Sequence, residues 1–141
     1  MDLRVYVDSD VIISSIISPK GAAFYLINEA SIKRFISNKS QEEIKRVASE
    51  LSLNQKNLNE IIKNRFSKVE LKASLEKIKK KYSEYVKDQN DAHIVAGAHA
   101  VNSKFIISYN QKDYNSDKIK ENLSIIMMTP AKFLQYLRSL G

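Results

Sequence analysis

The strongest constraint on the fold lies in residues 3–17, where a short apolar run ends in two carboxylates and a second apolar run follows at once. Residues 3–7 are rich in β-branched and aromatic side chains, which favour a buried strand. Asp8 and Asp10 come next, and residues 11–17 predict a helix packed on the sheet. Because active sites in open α/β sheets lie beyond the carboxyl ends of the strands, we expect Asp8 at the edge of the core. A charge there is costly unless a positive partner meets it.

The rest of the chain alternates between strand-like and helix-like patterns. Further strands are predicted over residues 32–36, 105–107 and 124–128, with a briefly extended segment at 69–71. Helices are predicted over residues 22–30, 40–51, 53–66, 74–87, 91–101 and 130–140. Ser40 and Glu43 have the spacing of a capping box, which places the start of the third helix at Ser40. This alternation predicts an α/β fold with a parallel sheet, and the absence of a linker predicts one domain over residues 1–141.

Composition narrows the chemistry available to the chain. It has 141 residues, no cysteine and two histidines, which excludes disulfides, thiolate catalysis and cysteine-ligated zinc. A bound metal would be held by oxygen, which favours magnesium, manganese or calcium. The sequence contains no apolar run long enough to span a membrane and does not begin like a secretory signal. We therefore expect a cytoplasmic protein without a membrane partner.

The net charge of +7 is concentrated in one part of the chain. Residues 53–87 carry ten Lys or Arg against four Glu, a net of +6, and include the run Lys79, Lys80 and Lys81. A basic segment beside an acidic rim suggests that a polyanion is bound at one place and acted on at another. The alternative is that these lysines form the solvated face of amphipathic helices.

Four carboxylates are candidates for one shared site: Asp8, Glu43, Asp91 and Asp113. Each of the last three also has a local explanation. Glu43 completes the capping box, Asp91 complements a helix dipole behind Asp88, and Asp113 closes a turn. If the four converge, like charges raise some of their pKa values, and one or two hard divalent cations relieve the repulsion. An ion bound in this way can activate water and stabilise charge on a phosphate.

Four short motifs in order resemble the PIN-domain nucleases, and the small VapC-like toxins of toxin–antitoxin pairs are the group they resemble most. The motifs are Val7-Asp8-Ser9-Asp10-Val11, Glu43-Ile44-Lys45-Arg46-Val47, Asp88-Gln89-Asn90-Asp91-Ala92-His93-Ile94 and Ile107-Ser108-Tyr109-Asn110-Gln111-Lys112-Asp113-Tyr114. The resemblance implies a three-layer α/β/α domain around a mainly parallel sheet of four to five strands. It also implies a Mg²⁺- or Mn²⁺-dependent endoribonuclease that hydrolyses RNA, commonly a homodimer silenced by a small antitoxin.

The resemblance also implies roles for individual residues. Asp8, Glu43, Asp91 and Asp113 match the family's catalytic, metal-binding acids. Four others match supporting positions: Asp10 stands where the family often has Asn, Ser108 replaces the Thr that supports the first Asp, Asn110 matches an Asn, and Asp88 matches an outer acid. Positive charge alone makes three further residues candidates for RNA binding: Lys79, Lys80 and Lys81.

Two other functions stay open at this point. The first is a catalytically inactive PIN-like domain that binds RNA or a protein partner. The second is a haloacid-dehalogenase-like phosphatase, because Asp8-Ser9-Asp10 also resembles the Asp-x-Asp start of that family. In that case Asp8 would be the nucleophile and Asp10 the acid–base residue, so replacing Asp10 should abolish a phosphatase but only weaken a nuclease.

Overall fold

The computed structural model describes residues 3–141, and its central sheet is parallel throughout. The strands are β1 (Arg4–Val7), β2 (Lys33–Ser37), β3 (Ser67–Val69), β4 (Phe105–Ile107) and β5 (Ile126–Met128). They lie in the order β3-β2-β1-β4-β5, so the first strand occupies the middle of the sheet. The predicted fold class is therefore confirmed, with five strands in the part of the chain that the structure describes.

Helices connect the strands and cover both faces of the sheet. They are α1 (Ser9–Ile17), α2 (Ala22–Asn28), α3 (Asn38–Glu50), α4 (Gln55–Arg65), α5 (Leu75–Lys81), α6 (Ala92–Ala100), α7 (Ser116–Leu123) and α8 (Pro130–Ser139). Short 3₁₀ turns lie at Ser83–Tyr85, Gln89–Asp91 and Gln111–Asp113. Proline at the first position of α8, behind the capping side chain of Thr129, begins that helix as predicted.

Two apolar cores separate the three layers. On one face, Val5, Val7 and Phe105 of the sheet pack against α1–α4 and α8. On the other face, Tyr6 and Ile106 pack against α5–α7. Alternation along β1 sends successive side chains to opposite cores, as the period of a strand requires.

Helix α6 approaches β1 closely because Gly97 has no side chain. A Cβ at this position would lie 2.5 Å from ring atoms of Tyr6, which leaves no room for any larger residue. The close approach brings the beginning of α6, and with it Asp91, towards the end of β1.

The sheet has a topological switch point between β1 and β4. The chain leaves β1 into α1 on one face, whereas it leaves β4 towards α7 on the other face. A crevice forms at such a point outside the carboxyl ends of the strands. Asp8 and Ser108 are the first residues beyond these two ends, so both stand at the crevice.

Three sequence predictions need correction. Ser37, rather than Ser40, caps α3: its side chain accepts a hydrogen bond from the Ser40 backbone at 3.0 Å. Glu43 therefore lies in the second turn of α3 and does not cap it. The predicted helix over 74–87 ends at Lys81. Helix α7 was not predicted, because its apolar stripe is short and consists of Ile119 and Leu123.

Among the described residues, no single helix is long and apolar enough to cross a membrane. Only α1 and α2 taken together reach the required length and composition, and they bend by 103° where they meet.

Candidate active site

The four predicted acids line one cavity of about 320 Å³ at the switch point, together with Asp10, Asn110 and Tyr114. Asp8, Glu43, Asp91 and Asp113 reach it from the end of β1, from α3, from the turn before α6 and from the turn after β4. Ile13 and Val47 supply apolar wall to the same cavity. Asp88 does not line it and is exposed, with its side chain accepting from the Asn90 backbone. We call this space the acid cavity.

Asp8 is the most deeply buried of these acids, with 7% of its surface exposed. Its Oδ1 accepts from the backbone N–H of Ser9 at 2.8 Å, so Asp8 also caps α1. Its Oδ2 accepts from the hydroxyls of Ser108 and Tyr114, each at 2.8 Å. Burial raises the pKa of Asp8, and the charge of Glu43 adds to that rise. The described partners of Asp8 are uncharged donors, which hold the carboxylate in place without neutralising it.

Tyr114 is a site residue that the sequence reasoning missed. It is 4% exposed, and burial next to Asp8 raises the pKa of its hydroxyl, so the hydroxyl keeps its proton and remains a donor. The available signal was its place directly after Asp113, at the edge of the predicted core. A buried tyrosine hydroxyl needs a hydrogen-bond partner. The predicted site acids, which had no positive partner nearby, could accept from it.

We expect Tyr114→Phe to lower the free energy of unfolding by about 2 kcal/mol, because Asp8 loses one of the two hydroxyls that donate to its Oδ2. The loss should be larger at pH 8 than at pH 5, since an ionised carboxylate accepts a stronger hydrogen bond. Tyr85→Phe is the matched control, because that buried hydroxyl pairs with the uncharged side chain of Asn122. Urea unfolding at both pH values measures the effect, and equal pH dependence in the two variants would contradict the assigned role.

Asp10 is held by the same loop that holds Asp8. Its Oδ2 accepts from the backbone N–H of Tyr109 and from the side-chain amide of Asn110, both at 3.1 Å. Its Oδ1 is buried and has no hydrogen-bond partner among the described residues. Burial and the charge of Asp8 raise the pKa of Asp10 to about 7. The segment after β4 therefore fixes one oxygen of each acid and leaves Oδ1 of Asp10 without a partner.

Asp91 is half-buried, and its surroundings are strongly acidic. Burial raises its pKa to about 7, with further contributions from the charges of Asp8, Asp88, Glu43 and Asp113. An aspartate that only complemented a helix dipole would be exposed, whereas Asp91 is half-buried. Asp113 lies in the 3₁₀ turn and its backbone N–H donates to Asn110 O at 3.0 Å, so it closes the turn and lines the acid cavity as well.

Glu43 contacts the second residue that the sequence reasoning missed. His93 Nε2 lies 2.9 Å from Glu43 Oε2, and the ring is 6% exposed. Burial acts to raise the pKa of Glu43, but the hydrogen bond and charge of His93, with smaller contributions from Ser9 and Arg46, together outweigh it and lower this pKa. The available signal was the apolar run over residues 92–98, all of which are buried, so a histidine within this run is expected inside the protein.

The donor set fits a hydrated divalent cation. Asp10 Oδ1 is a buried oxygen without a hydrogen-bond partner among the described residues, and burial first and neighbouring carboxylates second raise the pKa values of Asp8, Asp10 and Asp91. Within residues 3–141, however, no three Asp, Glu or His side chains stand close enough to hold one ion directly. Mg²⁺ is commonly bound through one or two carboxylates with water completing its shell, which matches this arrangement.

His93→Leu should weaken Mn²⁺ binding about tenfold, because Glu43 would lose the neighbour that holds its carboxylate. His93→Gln places an amide nitrogen near the position of Nε2, so it should restore most of the affinity. Electron paramagnetic resonance titration of free Mn²⁺ measures binding without any need for activity. Equal affinities in the Leu and Gln variants would show that His93 only fills space.

The lysine run does not form one patch. Lys79 lies beside Glu43 and His93 in a neighbouring cavity. Lys81 instead faces a separate cavity with Ile78 and Tyr82, and its Nζ lies 5.6 Å from the centroid of the Tyr82 ring. Helical geometry separates residues two positions apart by about 200°, which the linear sequence does not display.

The α/β fold and the carboxylate-lined cavity at its switch point together define a candidate active site. Residues 4–112 match the family model of the PIN domain. This chain therefore belongs to the PIN domain family. The match removes the haloacid-dehalogenase alternative. No curated protein gives a significant match to the sequence.

Solved structures with the same fold include toxin–antitoxin complexes. A toxin–antitoxin complex from Klebsiella pneumoniae aligns with a TM-score of 0.62 and 18% identity, over 89% of this chain and 97% of that one. VapBC-1 from nontypeable Haemophilus influenzae aligns with a TM-score of 0.64 and 13% identity, over 92% and 99%. VapBC2 from Rickettsia felis, bound to a promoter DNA fragment, aligns with a TM-score of 0.59 and 13% identity, over 90% and 98%. At these identities the likeness concerns the fold.

Proposed function

We propose that this protein is a Mg²⁺- or Mn²⁺-dependent endoribonuclease that hydrolyses RNA phosphodiester bonds. The observation that carries the proposal is the convergence of Asp8, Glu43, Asp91 and Asp113 on the acid cavity of a PIN domain. Polyanionic substrates also suit the net charge of +7.

The residues of the acid cavity would have different roles in such a site. When bound, Mg²⁺ or Mn²⁺ supplies a water of lowered pKa and positive charge against the phosphate. The four acids would hold the ion and its waters. Ser108 and Tyr114 donate to Oδ2 of Asp8 and the backbone N–H of Ser9 donates to Oδ1, so the carboxylate is held in one orientation at the cavity. Ile13 and Val47 make the wall apolar, which strengthens electrostatic interactions inside the cavity.

We further propose that the protein is the toxin of a toxin–antitoxin pair, acting in the cytoplasm as a homodimer with a small antitoxin partner. The fold it shares with VapBC complexes supports this proposal. The neighbouring open reading frame offers a test: induction of this chain alone should arrest growth, and co-expression of a small adjacent reading frame should relieve the arrest. Growth unaffected by induction of a well-expressed chain would contradict the toxin role.

An inactive RNA- or partner-binding domain remains the alternative function. The test is incubation of the purified protein with end-labelled RNA of mixed sequence in Mn²⁺, in Mg²⁺ and in EDTA. We expect internal cleavage with either ion and none in EDTA. Mn²⁺ binding without cleavage of any RNA tested would favour the binding domain.

A further inference from the structure

A cavity apart from the acid cavity lies between α5, α6 and the segment that joins β3 to α5. Its volume is about 460 Å³, which falls within the range of about 300–1,000 Å³ found for small-molecule sites. None of the residues that line the acid cavity lines this one. We call it the α5–α6 cavity, and its apolar lining includes five residues: Leu71, Ile78, Tyr82, Ala96 and Ala100.

The apolar lining is built mainly from two pairs of residues, each pair one helical turn apart. Ile78 and Tyr82 lie at the end of α5, and both are buried. Ala96 and Ala100 lie on α6, where their small side chains leave the space open. The hydroxyl of Tyr82 already pairs with His99 Nδ1 at 2.9 Å, so it does not need a partner from a ligand. This lining therefore suits an unbranched apolar chain.

The same cavity carries an excess of positive charge. Three exposed lysines line it: Lys72, Lys77 and Lys81. Among the described residues none of the three forms an ion pair, and Lys81 Nζ lies 5.6 Å from the centroid of the Tyr82 ring. Glu70 is the one carboxylate in the lining, and its Oε1 lies 3.5 Å from Lys68 Nζ. An anionic group is therefore attracted to this cavity.

The shortness of the cavity favours a small molecule over a partner helix. Helices that dock in grooves use anchors at i, i+3 or i+4, and i+7, which extend over two turns. Each apolar pair here spans four residues, or about 6 Å along its helix axis. The cavity can hold one short apolar chain, but it offers no second turn of contacts to a helix.

We propose that the α5–α6 cavity binds a free amphipathic anion, a molecule with one unbranched apolar tail and an anionic head such as a carboxylate. The tail lies over Ala96 and Ala100 and against Ile78, and the head lies near the ammonium groups of Lys77 and Lys81. Because this site is separate from the acid cavity, the proposal does not depend on nuclease activity.

Isothermal titration calorimetry of the full chain with octanoate, decanoate and dodecanoate tests the tail. Each added CH₂ should tighten binding about three- to fourfold, and the heat-capacity change of binding should be negative. Decyltrimethylammonium carries a tail of similar length on a cationic head, and it should bind at least about tenfold more weakly than decanoate. No binding of decanoate at about 1 mM, affinity independent of tail length, or equal binding of the two heads would overturn the proposal.

Variants that fill the cavity test its position. Ala100→Leu, and independently Ala73→Leu on the facing segment, should weaken decanoate binding at least about tenfold, because the added side chain occupies the space of the tail. Both alanines are exposed, and thermal unfolding checks that the variants are folded. Ala131→Leu is the matched control, since it makes the same change on the exposed face of α8. Folded variants that bind decanoate as the wild type does would show that the tail lies elsewhere.

Variants of the lysines test the head. Lys77→Gln with Lys81→Gln should weaken decanoate binding about fivefold, the size expected for two solvent-exposed ion pairs. Lys56→Gln with Lys63→Gln removes the same charge from the exposed surface of α4 and should change the affinity less than about twofold. Equal losses in the two double variants would refute the assigned position of the head.

A membrane surface and a second copy of the chain predict different results. Binding to vesicles that contain phosphatidylglycerol, without binding of free decanoate, would show attraction of the lysines to a membrane and would overturn the proposal. Sedimentation of the wild type and of Ala100→Leu tests the second copy. A wild-type dimer that binds no decanoate and dissociates in Ala100→Leu would show that the partner chain fills the cavity, and the proposal would be wrong. Decanoate binding that leaves sedimentation unchanged supports it.

Discussion

Replacing Asp8 with Asn should reduce RNA cleavage by at least about 100-fold while leaving the fold as stable as before, or more stable. Loss of a residue that merely supports a metal ligand costs 10- to 100-fold, so loss of a ligand should reach the upper end of that range or exceed it. Stability should not fall, because burial and the charge of Glu43 already disfavour the ionised carboxylate. The amide keeps an oxygen for the Ser9 N–H, and the Ser108 and Tyr114 hydroxyls can rotate to accept.

Initial cleavage rates and thermal unfolding measure the two halves of this prediction on the same preparations. Glu60→Gln is the control, because it removes one carboxylate charge from the exposed surface of α4. A folded Asp8→Asn protein with wild-type activity would refute the proposed metal role of Asp8. An Asp8→Asn protein that unfolds readily would instead show that the carboxylate serves the fold.

The metal-free protein should lose about 2 kcal/mol of its free energy of unfolding as the pH rises from 5 to 7.5. The folded-state pKa of Asp10 and that of Asp91 are both raised to about 7, above their usual value of 3.8. Between these values the native state binds more protons than the unfolded state, so stability falls with rising pH. The full linkage is larger, but Asp91 is half-exposed and solvent screens part of it. The pKa of Glu43 is lowered, so its effect on stability has the opposite sign and occurs below the range from pH 5 to 7.5.

Mn²⁺ should cancel this loss, because the ion and the protons compete for the same carboxylates. We expect a rise of about 5 °C in melting temperature at pH 7.5, little change at pH 5, and reversal by EDTA. In Asp8→Asn the pH dependence should be shallower, since the charge that helps to raise the pKa of Asp10 and that of Asp91 is gone. Urea unfolding across the pH range measures the pH dependence of both proteins, and thermal unfolding with and without Mn²⁺ measures the change in melting temperature. Stability that increases from pH 5 to 7.5 in the wild type would contradict the charge crowding.

The strands and most helices were predictable from local patterns. Buried strands such as β4 read as short apolar runs, and helices such as α8 begin at capping residues followed by proline. Local patterns failed where an element buries little, as in α7, or where two capping signals lie three residues apart, as with Ser37 and Ser40. In both cases the packing of the folded chain, rather than the local sequence pattern, decides where the helix forms.

The site was predictable in its acids and, through the family resemblance, in Ser108 and Asn110, but not in Tyr114 or His93. Asp8, Glu43, Asp91 and Asp113 could be proposed because each stands beside an apolar segment, at a strand end or helix start. The contact of Tyr114 with Asp8 joins residues 106 positions apart, and no periodicity encodes it. The contact of His93 with Glu43 depends in the same way on how α6 crosses α3.

The sequence by itself determined most of the elements and placed carboxylates at their ends, because burial patterns and capping are properties of neighbouring residues. Only the tertiary structure decided that these ends meet. Strand order places β1 between β2 and β4, and this order brings the loop after β4 onto Asp8 and Asp10. It also decided that Lys79 faces the acids while Lys81 turns away, since the direction of a side chain follows from helix packing rather than from its place in a run of like charges.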